Sequence, residues 1–231
     1  TAAETLYAHC TANTYKVVFN GNGATSGSMS DQTMTYGQSA NLRSNGYSKS
    51  GYEFQGWGTS STDTSVDYTN GQSVSNLTST NGGTVNLYAI WRKTITITYN
   101  ANGGSGAPGV STGNMYNNAA NVSIKLSDTK PTRTGYTFSG WSTSQTADTA
   151  DYQSGTSYPF DENTTLYAVW SINSYYVDLN IYIDGTKYGT STDNPVYARV
   201  IVDGVDKGYR QDYYIQHEYG TEWEVDGLRI D

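Results

Sequence analysis

The chain has 231 residues, of which Leu, Ile, Val and Phe together supply only 36, an aliphatic content that alone would border on disorder. Against that stand 22 Tyr and 5 Trp, rings that each bury roughly 150–250 Å², so the composition describes a folded, polar protein with an aromatic core. Its 25 Gly favour short strands and tight turns and exclude an all-helical fold, while a net charge of −8 and the lack of a long apolar run argue against nucleic acid, anionic membrane surfaces or insertion into a bilayer.

In chain order, the first residue is Thr1 and not Met, which leads to the expectation that this is a piece of a longer protein, so that the lack of a basic-apolar leader says nothing of the parent. Leu6-Tyr-Ala-His-Cys10 reads as the closing strand of an upstream module, so the segment 1–13 is expected to lack its own sheet and to leave the lone Cys10 accessible. One cysteine also excludes an intrachain disulfide. From Thr14 the chain alternates, with Tyr15, Val17 and Phe19 on one face, and then runs into the turn Asn20-Gly-Asn-Gly23. Residues 23–31 are loop by composition. Tyr52, Phe54 and Gly56-Trp57 form a second strand, residues 59–64 a loop, and Leu87-Tyr-Ala-Ile-Trp91 a closing strand.

The same landmarks then recur. Thr94-Ile-Thr-Ile-Thr-Tyr-Asn-Ala-Asn-Gly103 repeats the opening strand at an offset of 80, Gly135-Tyr-Thr-Phe-Ser-Gly-Trp141 repeats Gly51-Tyr-Glu-Phe-Gln-Gly-Trp57 at 84, and Leu166-Tyr-Ala-Val-Trp170 repeats the closing strand at 79. Three landmarks in one order predict two homologous modules, residues 14–92 and 93–171. The junctions Trp91-Arg-Lys-Thr94 and Trp170-Ser-Ile-Asn173 leave almost no linker, so an extended, semi-rigid string is expected. Ser174-Tyr-Tyr-Val-Asp-Leu-Asn180 restarts the opening strand, but residues 181–231 lack the Gly-Tyr-x-Phe-x-Gly-Trp landmark. The segment 172–231 is therefore either a truncated third module or a β-rich module of another type, with hairpins at Asp184-Gly185 and Asp203-Gly204.

These motifs resemble the Listeria-Bacteroides repeat, the internalin-type B repeat of bacterial surface proteins. The resemblance rests on the Asn-Gly-Asn-Gly and Asn-Ala-Asn-Gly-Gly turns, on Pro131-Thr-Arg-Thr-Gly-Tyr-Thr-Phe-Ser-Gly-Trp141, and on Thr165-Leu-Tyr-Ala-Val-Trp170. The first module departs from it at Asn45-Gly-Tyr-Ser-Lys-Ser-Gly51, where the Pro-Thr-Arg-Thr-Gly approach is replaced. The resemblance implies small β-grasp-like modules in tandem, in cell-surface or secreted proteins of Gram-positive or gut bacteria, with no catalytic residues to carry over.

The residues themselves supply no catalytic set either. His9 and His217 are isolated, and Asp148/Asp151, Asp161/Glu162 and Asp203/Asp206 lack the spaced ligand loop of a calcium site. Asn102-Gly-Gly-Ser-Gly106 lacks the lysine of a phosphate loop. No cofactor or metal is expected. Trp57, Trp91, Trp141 and Trp170 are expected to be core. The tyrosines of the last third exceed what packing needs, and Tyr176, Tyr182, Tyr188, Tyr209, Tyr213 and Tyr214 are candidate ligand contacts, Tyr offering large area at low entropic cost. The reading is a monomeric, non-catalytic, extracellular repeat region that acts as stalk or spacer with weak adhesion to a host or cell-surface glycan or protein. Two alternatives are a carbohydrate- or protein-binding module with its site in 175–219, and an accessory region of a secreted enzyme.

Overall fold

A computed structural model describes residues 10–179, 181–183, 186–188, 196–210 and 213–230. Every regular element among them is a strand. Of the upstream segment Leu6–Cys10, only Cys10 falls within the described residues, where it is exposed.

The first repeat builds a mixed sheet around a parallel pair. The opening strand Thr14–Asn20 runs parallel to the closing strand, with Phe19 beside Leu87, and antiparallel to Gln32–Thr35 on its other side. The Trp strand Glu53–Gly58 pairs antiparallel with the far side of the closing strand, with Trp57 opposite Ala89. Alternation does the rest: Tyr15, Val17, Phe19, Leu87, Ala89, Trp57 and Trp91 all point into one buried cluster with Met34, Leu42 and Val74. No helix lies across this sheet in the described residues, so the modules are all-strand.

The closing strand does not stop at Trp91. It continues as Thr84–Asn100, one 17-residue strand that closes the first repeat and opens the second. Its second half pairs antiparallel with Ser111–Tyr116. The second repeat then reuses the pattern, with Tyr136–Ser142 antiparallel to Thr164–Ile172 and Trp141 opposite Ala168. By residue contacts the chain divides into two compact units, one of Thr1–Ile97, Ser111–Lys125 and Ser157–Thr164, the other of Thr98–Val110, Leu126–Thr156 and Thr165–Asp231. The first unit thus takes in Ser111–Tyr116 and Val122–Lys125 of the second repeat, the former paired with Thr84–Asn100 and the latter with Ser157–Phe160.

Both Trp strands carry a bulge, between Phe54 and Gly56 and between Phe138 and Gly140. The bulge glycine is needed for two reasons. Its φ is +152° in Gly56 and +142° in Gly140, and a Cβ there would come within 2.8 Å of the Tyr68 carbonyl or 2.7 Å of the Tyr152 carbonyl. The segment around Tyr68 crosses so closely because the Trp57 N–H donates to the Tyr68 carbonyl at 2.8 Å, as Trp141 does to Tyr152. That crossing explains an unexpected feature of the closing strand. Strict alternation would turn Ile90 outward, yet Ala89, Ile90 and Trp91 are all buried. Ile90 lies opposite Gly56, on the side that residues 66–68 cover.

The C-terminal segment follows a different plan. Ser174–Leu179 pairs antiparallel with Tyr213–Glu218, whereas each repeat's opening strand pairs with a strand about twenty residues on. A three-stranded sheet of Val205–Arg210, Val196–Val202 and Trp223–Ile230 completes it. Asp203 and Gly204 both adopt positive φ, 50° and 72°, the turn that the Asp-Gly pair predicts. The strands flanking the second expected hairpin, Ile181–Ile183 and Thr186–Tyr188, are paired antiparallel, while Asp184-Gly185 itself lies outside the described residues.

Candidate functional site

Each repeat is stitched at the same place by its Asn-x-Asn-Gly turn. Asn22 sits at φ 47°, and its N–H donates to Asn20 Oδ1 at 2.8 Å. Its side-chain Nδ2 donates both to the Ala89 carbonyl of the closing strand at 2.9 Å and to the Ser61 carbonyl at 3.0 Å. Trp91 Nε1 donates to the Gly21 carbonyl at 2.8 Å. In the second repeat Asn102 repeats every contact, with φ 47°, a bond to Asn100 at 2.8 Å, and Nδ2 donating to Ala168 at 3.0 Å and Gln145 at 2.9 Å. The rings repeat too. Phe19–Trp57, Phe54–Trp57 and Phe54–Trp91 centroids are 4.9, 5.1 and 5.6 Å apart, and Tyr99–Trp141, Phe138–Trp141 and Phe138–Trp170 are 4.8, 5.0 and 5.7 Å apart.

Residues 15–90 and residues 96–169 each match the family model of the Listeria-Bacteroides repeat domain. The chain belongs to the Listeria-Bacteroides repeat family. No curated protein matches it. Listeria-Bacteroides repeats occur in bacterial surface proteins, and the family is typically non-catalytic.

Trp57, Trp91 and Trp141 are buried, with exposures of 0, 1 and 0%. Trp170 is only half-buried, although its Nε1 still bonds the Ala101 and Asn102 carbonyls. The two central Trp residues of the Listeria-Bacteroides repeats differ in one respect. Trp141 Nε1 donates to Ser154 Oγ at 3.1 Å, while Trp57 Nε1 is buried without a partner among the described residues. Trp141→Phe is therefore expected to cost about 1–3 kcal/mol more stability than Trp57→Phe, because only the first loses a bond and the second relieves a desolvated donor. Parallel urea titrations of the two variants check this, and equal losses would show that the donors are equivalent.

The junction between the two Listeria-Bacteroides repeats holds residues that the sequence did not single out. Asn117, in the turn after Ser111–Tyr116, is buried and at φ 53°. Its Oδ1 accepts the Trp91 N–H at 3.0 Å, and its own N–H donates to the Trp91 carbonyl at 2.9 Å. Its Nδ2 reaches the Asp63 carbonyl in the first repeat at 2.6 Å. Lys49 Nζ donates to the Asn117 carbonyl and, at 3.0 Å, to Asn118 Oδ1, and it lies 4.3 Å from the Tyr52 ring centre. Burial holds this ammonium below the usual lysine range. The Tyr52 hydroxyl meets Met115 Sδ at 3.3 Å. All these residues fall in the first compact unit. Beside Asn117 opens a cleft of about 500 Å³ between the turn at 61–64 and the strand end and turn at 114–121.

The six candidate tyrosines fall on three separate sheets. Tyr176, Tyr213 and Tyr214 share one, with Tyr176 opposite Gln216, Tyr214 opposite Asp178 and Tyr213 opposite Leu179. Tyr182 and Tyr188 are on the hairpin pair, and Tyr209 is in Val205–Arg210 opposite Arg199. Tyr176 and Tyr209 are exposed, at 62 and 42%. Tyr219, which the candidates omit, packs its ring against Gly135 of the second repeat, and its N–H donates to the Asn173 carbonyl at 2.6 Å. Arg199 pairs with both Asp206 and Asp226 at the surface. Its hydrogen bond lowers the Asp206 carboxyl below the usual range, with help from the Gly208 N–H. Among the described residues no group of three or more His, Cys, Asp or Glu could hold a metal ion. No helix in those residues is long and apolar enough to cross a membrane.

Proposed function

We propose that the chain is a non-catalytic spacer of a bacterial cell-surface or secreted protein, in which tandem repeats project another region from the cell. The observation that carries this reading is the shared strand Thr84–Asn100, which leaves no linker between one repeat and the next. A strand common to two repeats, reinforced by Asn117 and Lys49, transmits load through paired backbone instead of through a flexible tether. A host or cell-surface glycan or protein is the adhesive partner this reading allows. The exposed Tyr176 and Tyr209 support a second reading, in which the C-terminal segment contributes contacts.

Single-molecule stretching of the full chain between its ends tests the spacer. Each repeat is expected to yield in its own step, releasing roughly 240–270 Å of contour for matched lengths of 76 and 74 residues. A smooth extension without steps would overturn the spacer reading. Antibody labelling of intact source bacteria tests the location, and signal only after permeabilisation would place the chain elsewhere.

A further inference from the structure

We propose that the cleft at the repeat junction binds a neutral saccharide of one or two rings. At about 500 Å³ the cleft has the size of a small-ligand site. Its lining carries no charged side chain. Ser61, Thr62 and Thr64 line one wall and Asn118 and Asn121 the other, and the Thr62 hydroxyl already meets Ser60 Oγ at 3.0 Å. Each of these groups both donates and accepts, which matches a sugar hydroxyl and matches neither an anion nor a cation. The half-buried Tyr116 and the buried Met115 add an apolar surface of the kind the C–H face of a pyranose covers.

The floor is pre-formed. Asn22 and Asn117 spend their side-chain amides on the closing strand and on the carbonyls of Ser61 and Asp63, so the backbone that shapes the cleft is fixed before a ligand arrives. The nearby cation Lys49 already donates to the Asn117 carbonyl and to Asn118 Oδ1, leaving Asn118 Nδ2 to serve a ligand. With a chain charge of −8, an acidic glycan is further disfavoured.

One wall comes from each of two successive repeats, so the site does not exist in a single repeat. After Trp170 the next strand, Ser174–Leu179, pairs with Tyr213–Glu218, whereas residues 92–97 pair with Ser111–Tyr116.

The test is a two-dimensional NMR titration of the full chain with maltose, cellobiose, lactose, chitobiose and mannobiose. Each is raised to about 10 mM, where a millimolar site is mostly filled. At least one is expected to give saturable shifts at residues 61–64 and 116–121. The double variant Asn118→Ala/Asn121→Ala, at two exposed positions, is expected to stay folded, with a small drop in melting temperature from the lost Lys49 bond, and to lose about tenfold in affinity, one lost hydrogen bond's worth. Tyr116→Ala is expected to weaken binding similarly. Absence of shifts with all five sugars overturns the proposal. So do shifts confined to the C-terminal tyrosines, or an affinity unchanged in a double variant whose spectrum shows it folded.

Discussion

Replacing Trp141 by alanine is expected to destabilise the chain by about 3–5 kcal/mol, the range for deleting a large aromatic side chain from a packed core. Trp141 is fully buried, stacks within 4.8 Å of Tyr99 and 5.0 Å of Phe138, and makes the Nε1 bond to Ser154. Its backbone also anchors the crossing segment through Tyr152. Thermal and urea unfolding followed by tryptophan fluorescence and circular dichroism measure the loss. An unchanged unfolding midpoint would show the ring to be dispensable.

The second large effect is expected at Asn117. Asn117→Ala removes an acceptor from the Trp91 N–H and a donor from the Asp63 carbonyl, and it places a Cβ-bearing residue without side-chain support at φ 53°. One buried and one part-buried hydrogen bond, with about 1 kcal/mol of left-handed strain, give an expected loss of about 2–4 kcal/mol. Asn117→Gly separates the two causes, since glycine tolerates the backbone and lacks only the amide. It should recover roughly 1 kcal/mol of the alanine loss. Hydrogen exchange at the Trp91 N–H gives a local readout, with protection falling in both variants. Retained protection would show that the junction does not depend on this side chain.

What the sequence disclosed and what it hid divide along a physical line. The opening strand, the Gly-Tyr-x-Phe-x-Gly-Trp segment and the closing strand were legible because each is written in local alternation and punctuated by residues whose backbone needs are distinctive. Gly56 and Gly140 are the clearest examples, since the bulge and the crossing carbonyl admit no side chain. Ile90 was not legible, because it lies opposite Gly56 on the face that alternation turns away from the core cluster, and burial there is decided by tertiary packing and not by its own strand. Asn117 was hidden for a similar reason. Its partners lie 26 and 54 residues away in sequence, and an asparagine in a polar turn looks like any other turn residue. The restart at Ser174 leaves open a truncated third repeat or a module of another type, and only its pairing with Tyr213–Glu218 sets it apart from the repeats, because strand pairing is not written in alternation. The six tyrosines cluster in sequence, yet the turns between them distribute them over three sheets.

The paired stitches at Asn22 and Asn102 also bear on chemical ageing. Both are followed by glycine, the sequence context in which the next backbone nitrogen most readily attacks the side-chain amide, expelling ammonia and leaving a succinimide that hydrolyses to aspartate or isoaspartate. In the folded chain each amide is held by two carbonyls, away from that attack. An unfolded repeat loses this protection. The aspartate that forms has no N–H to return to Ala89 or Ala168 and sets a carboxylate against two carbonyl oxygens, so a repeat that stays open long enough keeps a lasting mark and does not close as before.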